Sequence, residues 1–260
     1  MQPQRVLAIL QARTSSSRLP GKVLKQILGR SMLDLHIERL LRCKKIDHFV
    51  VATSTNSSDD DLAELCVRLG LSVYRGSLDD VLSRFAKAAQ PYAPEVIVRL
   101  TGDCPLTDPN LIDEVVKEFL FGEYDYLSNC KPATFPDGLD VEVFSYKVLL
   151  EANAEAVLPS HREHVTPFIR LQTERYSVGN YAAKVDHSYM RWTVDEAEDY
   201  VFVKRVYELL YPDKPDFNSE DVKLLLESAP ELMLINANFE RNDGVRKSLQ
   251  ADTEYLARKK

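Results

Sequence analysis

The loop that follows the first apolar run of this chain, from Gln11 to Pro20, contains no glycine. A dinucleotide-binding fold needs Gly-x-Gly-x-x-Gly at that point, and a Walker A loop needs Gly-x-x-x-x-Gly-Lys-Ser/Thr. Only Gly21-Lys22 of the second pattern is present, and Val23 follows it. Nicotinamide and P-loop kinase chemistry therefore lose their basis. Cysteine is sparse as well: Cys43, Cys66, Cys104 and Cys130 lie far apart with no Cys-x-x-Cys pair, which argues against a zinc cluster. No apolar stretch approaches the roughly 20 residues of a membrane span. No signal-peptide pattern opens the chain, so the expectation is a cytoplasmic protein with reduced thiols. Positive charge is in deficit, with 33 Lys and Arg against 40 Asp and Glu and a net charge of −7. That is the wrong sign for a nucleic-acid surface, although it leaves a single-nucleotide site open, because such a site depends on local charge.

Local charge is what the glycine-free loop supplies. Val6–Leu10 reads as a buried strand. Gln11-Ala-Arg-Thr-Ser-Ser-Ser-Arg-Leu-Pro-Gly-Lys22 follows it, with three fixed cations and four consecutive hydroxyl residues. Open α/β sheets bind ligands beyond the carboxyl ends of their strands. Placed there, Arg13 and Arg18 are planar forks and Lys22 a point charge for phosphate oxygens. The alternative is a solvated basic loop. The loop is the candidate active site.

Strand-like and helical patterns alternate through the rest of the chain. Phe49–Thr53, Ser72–Tyr74 and Val96–Leu100 continue the series of strands. Helices are marked by Ser31 as a cap with Asp34 three residues on, by Ser57-Ser58 with a stop at Leu69-Gly70, and by Ser77 ahead of Val81, Leu82 and Phe85. Asp108-Pro109 marks a fourth. Further on, Asp125–Ser128, Val141–Phe144, Tyr176–Val178 and Met190–Val194 read as strands. Ser145–Val157, Pro159–Gln172 and Asp199–Leu210 read as helices, with Pro167 dividing the second. The tail from Tyr211 carries Pro212, Pro215 and a capped helix after Ser219-Glu220-Asp221. The alternation implies a mixed, mainly parallel sheet flanked by helices.

A polyphosphate site calls for a cation, and Mg²⁺ takes oxygen ligands, commonly one or two carboxylates with waters and substrate phosphates. Asp103, in Arg99-Leu-Thr-Gly-Asp-Cys-Pro-Leu-Thr107, directly follows the Val96–Leu100 strand, with Gly102 allowing a tight turn. Binding its own turn amides is the other role open to it. Asp195, between Val194 and a helix, suits an N-cap and also a metal ligand. Asp59-Asp60-Asp61 formally contains Asp-x-Asp but falls in the first turn of a helix, where the macrodipole favours negative charge; Asp79-Asp80 is placed similarly. His161-Arg-Glu-His164 is no zinc motif, and Pro136-Asp-Gly138 is a turn signal in its own right. His36, His48 and His187 read as ordinary surface or half-buried residues.

The Arg13–Lys22 loop resembles the signature of cytidylyltransferases that make CMP-activated sugar acids. KDO-activating members carry a similar Arg-x-x-x-x-Arg-Leu-Pro-Gly-Lys, and the closer likeness is to the SpsF-like group of polysaccharide biosynthesis. The likeness extends over Gly102-Asp-Cys-Pro-Leu106, Phe135–Val143, Glu163-His-Val-Thr-Pro167, Val194-Asp-Glu-Ala-Glu-Asp199 and Asn236–Leu249. KDO-activating enzymes have Gln-Gly-Asp where this chain has Thr101-Gly102-Asp103, which speaks against KDO itself. The resemblance implies a single Rossmann-like domain of the nucleotide-diphospho-sugar transferase type over residues 1–210, with a helical extension over 211–260 packed on it. It implies attack of an acidic-sugar hydroxyl on the α-phosphorus of CTP, with release of pyrophosphate. Arg13, Lys22 and Asp103 would carry catalysis, and Leu10, Ala12, Arg13, Arg18, Lys22, Thr53 and Gly102 would bind the nucleotide. Asp137, Gly138, Glu163 and His164 would line the sugar pocket, and Asp103 and Asp195 would hold Mg²⁺. A homodimer with no nucleic-acid or membrane partner is expected. Two alternatives remain, a metal-dependent glycosyltransferase and a non-catalytic nucleotide-binding protein. The first calls for an Asp-x-Asp after a central strand, which Asp103-Cys-Pro105 does not supply.

Overall fold

The computed structural model describes residues 5–239, 241 and 243–258. The chain begins with β1 (Val6–Gln11), the short strands β2 (Gln26–Ile27) and β3 (Arg30–Ser31), α1 (Met32–Leu40), β4 (His48–Ser54) and α2 (Asp60–Arg68). It continues through β5 (Ser72–Gly76), α3 (Val81–Ala89), β6 (Val96–Thr101), α4 (Pro109–Phe121), β7 (Tyr126–Ser128) and β8 (Glu142–Ser145). The remainder holds α5 (Tyr146–Glu155), α6 (Pro159–His164), α7 (Pro167–Arg170), β9 (Val178–Asn180), α8 (Ala197–Leu210), α9 (Ser219–Ser228) and α10 (Asp243–Arg258). Glu240 and Asn242 of the terminal Asn236–Leu249 run lie outside the described residues.

Seven strands form one sheet in the order β5-β4-β1-β6-β8-β7-β9. The first four are parallel, β8 runs against both β6 and β7, and β7 is parallel to β9. The sheet is mixed and mainly parallel, as the alternation of elements implies. Val6–Leu10 is an unbroken apolar run because both faces of a central parallel strand are covered. Val6, Ala8 and Leu10 enter a core shared with α1, α4 and α8. Leu7 and Ile9 enter a second core with α3 and α5.

Most local signals act as read. The Ser31 hydroxyl accepts the Asp34 N–H at 3.1 Å, Gly70 takes φ +76° after α2, and the Asp108 carboxylate caps α4 through the Asn110 N–H at 2.9 Å. Pro167 ends one helix and opens the next. Some signals are displaced. Asp80, not Ser77, caps α3 through the Ser83 N–H, and Asn218 caps α9, which starts at Ser219. The Tyr176–Val178 strand lies at Val178–Asn180, where its register pairs Val178 with Tyr126 and Asn180 with Ser128 of β7. Met190–Val194 is extended but is no strand. It makes one bridge, Asp137 to Arg191, and then turns away, with the Val194 N–H bonded to the Asp103 carbonyl at 2.8 Å. Among the described residues no helix is long and apolar enough to cross a membrane.

The order of connection fixes where a ligand fits. From β1 the chain moves outward to β4 and β5, then returns to add β6 on the other side of β1. The β1/β6 boundary is a topological switch point, where crevices open beyond the carboxyl ends of the strands.

Candidate active site

Two loops meet at that boundary. The Gln11–Lys22 loop leaves β1, and Gly102-Asp103 leaves β6, with the Gly102 N–H bonded to the Gln11 carbonyl at 2.8 Å. A Cβ at position 102 would lie 2.9 Å from the Ala12 Cβ, so glycine is what lets the loops touch. The first loop is tied down by a residue that local reasoning gave a different role. Asp59 is fully buried and accepts the Thr14 N–H at 2.7 Å and the Thr14 hydroxyl at 2.8 Å. It also accepts the Ser54 hydroxyl. Burial pushes its carboxyl up, but the Ser54 and Thr14 donors outweigh that and hold it below the ordinary value. Only Asp60 and Asp61 remain as first-turn charges of α2.

The centre of the site is an ammonium between two carboxylates. Lys22, 7% exposed, donates to Asp103 Oδ2 at 3.1 Å, to Asp195 Oδ1 at 2.9 Å and to the Val194 carbonyl at 2.7 Å. Burial opposes the charge on Lys22, yet the two aspartates raise its pKa overall. Burial likewise pushes Asp103 up, and Lys22 overcomes it and holds the carboxyl far below the usual range. Arg18 pairs with Asp195 at 2.9 Å and Glu196 at 3.2 Å. Lys22 and Arg18 are thus engaged with carboxylates, whereas a free anion trap was expected of the loop. Asp195 is not the cap of α8. Glu196 takes that position, and Asp199 accepts the N–H groups of both Asp195 and Glu196 at 2.9 Å.

The donor set suits a hard divalent cation. Asp103 and Asp195 already converge on one positive charge through oxygen atoms. Among the described residues no group of three or more His, Cys, Asp or Glu side chains is placed to hold a metal alone. An ion here would need waters and substrate oxygens to complete its shell, which is the habit of Mg²⁺.

Around this centre is a cavity of about 770 Å³, large enough for a nucleotide and part of a second substrate. Ala12, Arg13, Arg18, Lys22, Gly102, Asp103, Asp137, Glu163, His164 and Asp195 all line it. Leu10, Thr53 and Gly138 do not. Leu10 is buried in the core and Thr53 within β4. Gly138 takes φ +109°, and a Cβ there would lie 2.5 Å from the Thr193 nitrogen, so its role is to let two backbones pack. Asp137 pairs with Arg191 at 3.2 Å, and Glu163 lies 3.9 Å from Arg13.

The half of the cavity over β6, β8 and β7 holds groups that sequence patterns hide. Glu142 accepts the hydroxyls of Tyr126 and Thr166, each at 2.6 Å, and pairs with Arg99. Arg99 and Glu142 are register partners across antiparallel β6 and β8. Opposite charges in two otherwise apolar strands are the one sequence signal of that pair. Asp140, pushed up to about 6 by burial against the opposing charge of Arg241, contacts Arg241 at 2.5 Å.

The Asp103 loop is braced from behind. Tyr207 donates to the Pro105 carbonyl at 2.8 Å, and Arg39 to the Thr107 carbonyl at 2.8 Å. His36 Nε2 lies 3.2 Å from the Thr107 hydroxyl, which itself donates to the Cys104 carbonyl. His36 is therefore no surface residue. It is fully buried with Nδ1 unpaired, and burial together with the charge of Arg39 pushes it down to about 3. A histidine held below its unfolded value takes up its proton more readily in the unfolded chain, so stability falls as pH drops below about 6.5 and keeps falling toward 3. Between pH 7 and 5 this one group is expected to remove about 2 kcal/mol. Urea midpoints at both pH values for wild type and His36→Gln check it, and equal losses in the two proteins would refute the assignment.

A Rossmann-like mixed sheet with a cationic loop and paired aspartates at its switch point is the architecture of an α/β nucleotide-binding protein. Residues 7–242 match the cytidylyltransferase family, and the chain belongs to that family. It is 34% identical over 235 residues to the spore coat polysaccharide biosynthesis protein SpsF of Bacillus subtilis, covering 87% of this chain and 95% of that one. A shorter match joins it to the mitochondrial 3-deoxy-manno-octulosonate cytidylyltransferase of Arabidopsis thaliana, at 36% identity over 143 residues, 52% of this chain and 47% of the other. The solved structure of a cytidylyltransferase from Leptospira borgpetersenii serovar Hardjo-bovis superposes with a TM-score of 0.86 at 33% identity, covering 92% of this chain and all of that one. The resemblance read from the loop is thereby established at the level of the family, and the chain is an enzyme of the cytidylyltransferase class.

Proposed function

We propose that this enzyme transfers CMP from CTP to a hydroxyl of an acidic sugar, with release of pyrophosphate, during the assembly of a surface polysaccharide. The family membership and the likeness to SpsF support the reaction class and its setting. The observation that favours an acidic acceptor is a pair of cations. Lys131 and Arg170 line the cavity on the β7 side, and burial followed by the charge of Arg170 lowers the Lys131 pKa. Neither side chain makes an ion pair with the described residues, so a carboxylate on the acceptor would relieve their mutual repulsion.

In this reading Arg13 and Arg18 hold phosphate oxygens and fix the triphosphate for in-line attack, which is the larger part of such catalysis. Asp103 and Asp195 would hold Mg²⁺, which supplies Lewis-acid polarisation of the α-phosphate. Lys22 holds the two carboxylates in register. The backbone at Ala12 and Gly102 forms the floor beneath the nucleotide.

The test is pyrophosphate release with Mg²⁺, offering CTP, UTP, GTP and ATP against a panel of nonulosonic and neutral sugars. Release is expected only with CTP and a sugar acid. The Lys131→Met, Arg170→Met double variant should raise the sugar KM about tenfold or more while leaving the CTP KM unchanged. Equal turnover with neutral sugars would overturn the acidic acceptor, and strict dependence on another triphosphate would overturn CTP.

A further inference from the structure

Arg84 has no part in any of the roles above. It projects from α3, lines the same cavity and is 2% exposed. Its Nη1 donates to the Ser77 carbonyl at 2.7 Å and the Leu78 carbonyl at 3.4 Å. Its Nε is buried without an acceptor. Among the described residues no carboxylate pairs with it. Asp80 is taken by Arg162 through contacts of 2.9 and 2.6 Å, and Asp59 by Thr14 and Ser54.

Burial, and then the like charge of Arg13, push the Arg84 guanidinium down to about 10, which leaves it charged at neutral pH. A buried charge without a counter-ion costs several kcal/mol. The like charge of Arg13, which is itself partly exposed and 3.9 Å from Glu163, adds to that cost. Anchoring through Nη1 alone also leaves the Nε edge of a planar, immobilised guanidinium without an acceptor among the described residues. That edge matches two adjacent oxygens of one phosphate group.

We propose that Arg84, together with Arg13, forms an anion subsite for the terminal phosphates of the nucleotide, the part that departs as pyrophosphate. The subsite lies toward β4 and β5, whereas Lys131 and Arg170 lie toward β7, so the cavity is divided between a leaving-group end and an acceptor end. This rests on the nucleotide reading given above. The competing role is structural, a strap that holds the Ser77–Leu78 turn ahead of α3.

Calorimetry with CTP, inorganic triphosphate and cytidine separates the possibilities, with thermal melting as a check on folding. In Arg84→Met the affinities for CTP and for inorganic triphosphate are expected to fall together by about tenfold or more, the worth of one charge-assisted bidentate contact. Cytidine binding should be unchanged. Arg84→Lys keeps the charge but loses the fork, and should fall by about threefold to tenfold for both phosphate ligands; it carries the test if the methionine variant does not fold. Wild-type CTP affinity in a folded variant would leave only the strap and refute the proposal. Weakened cytidine binding with unchanged triphosphate binding would place Arg84 on the base and refute it as well. If the wild-type protein bound neither CTP nor triphosphate, the nucleotide reading itself would fall and this subsite with it.

Discussion

Asp103→Asn is expected to lower turnover by about 10²-fold to 10³-fold, the scale seen when one preorganised electrostatic group is removed from a reaction centre. The backbone contacts of this loop, from the Gly102 N–H to the Gln11 carbonyl and from the Val194 N–H to the Asp103 carbonyl, stay in place with asparagine, which also keeps an acceptor oxygen for Lys22. What it removes is one of the two negative charges around Lys22. The folded-state carboxyl is far below its ordinary value, so Asp103 is ionised throughout the physiological range and the asparagine variant cannot be mimicked by mild acid. Pyrophosphate release at saturating substrates, with the melting temperature measured in parallel, reads the effect. Near-normal turnover in a folded variant would remove Asp103 from the reaction centre.

The second large effect is on stability. Glu142→Ala is expected to cost about 3–5 kcal/mol, because it leaves the Arg99 guanidinium in a largely buried position without its counter-ion. The Tyr126 and Thr166 hydroxyls would lose their acceptor as well. Burial pushes the Glu142 carboxyl up, and Arg99 with those hydroxyls brings it below the ordinary value. A double variant, Arg99→Met with Glu142→Leu, should cost much less than Glu142→Ala, since apolar residues of similar size replace a buried pair at little net cost. Denaturant midpoints at pH 7 check both. A loss of under about 1 kcal/mol in Glu142→Ala would mean that water reaches Arg99 and that the pair is a surface one.

How much of this was legible follows from the range of each interaction. Val6–Leu10 and its cationic loop stand out because a strand buried on both faces must be apolar, and a charged loop directly after it has no core to enter. Caps such as Ser31 and Asp108 act within four residues and read correctly. The sequence places the cationic loop and the two aspartates in one polyphosphate site, because each follows a strand-like run. The direct partnership of Lys22 with Asp103 and Asp195 spans 81 and 173 residues, and those contacts needed the fold. Asp59 was misread because helix-dipole reasoning is local, whereas its carboxylate reaches back to Thr14 across the sheet. His36 carried a usable sign, since it shares the face of α1 that Leu33, Ile37 and Leu40 bury. Met190–Val194 has strand-like composition, but strand propensity is a statement about fit to a pleated surface. Here the neighbouring chain turns at Gly138, and only one bridge forms.

The most direct measurement is a calorimetric titration of CTP, with and without Mg²⁺, into the wild-type protein and into Asp195→Asn. If Asp103 and Asp195 form the metal–nucleotide centre, Mg²⁺ strengthens CTP binding to the wild type and the increment disappears in the variant. CTP binding that is indifferent to Mg²⁺, or an increment that survives loss of the Asp195 carboxylate, would contradict that account.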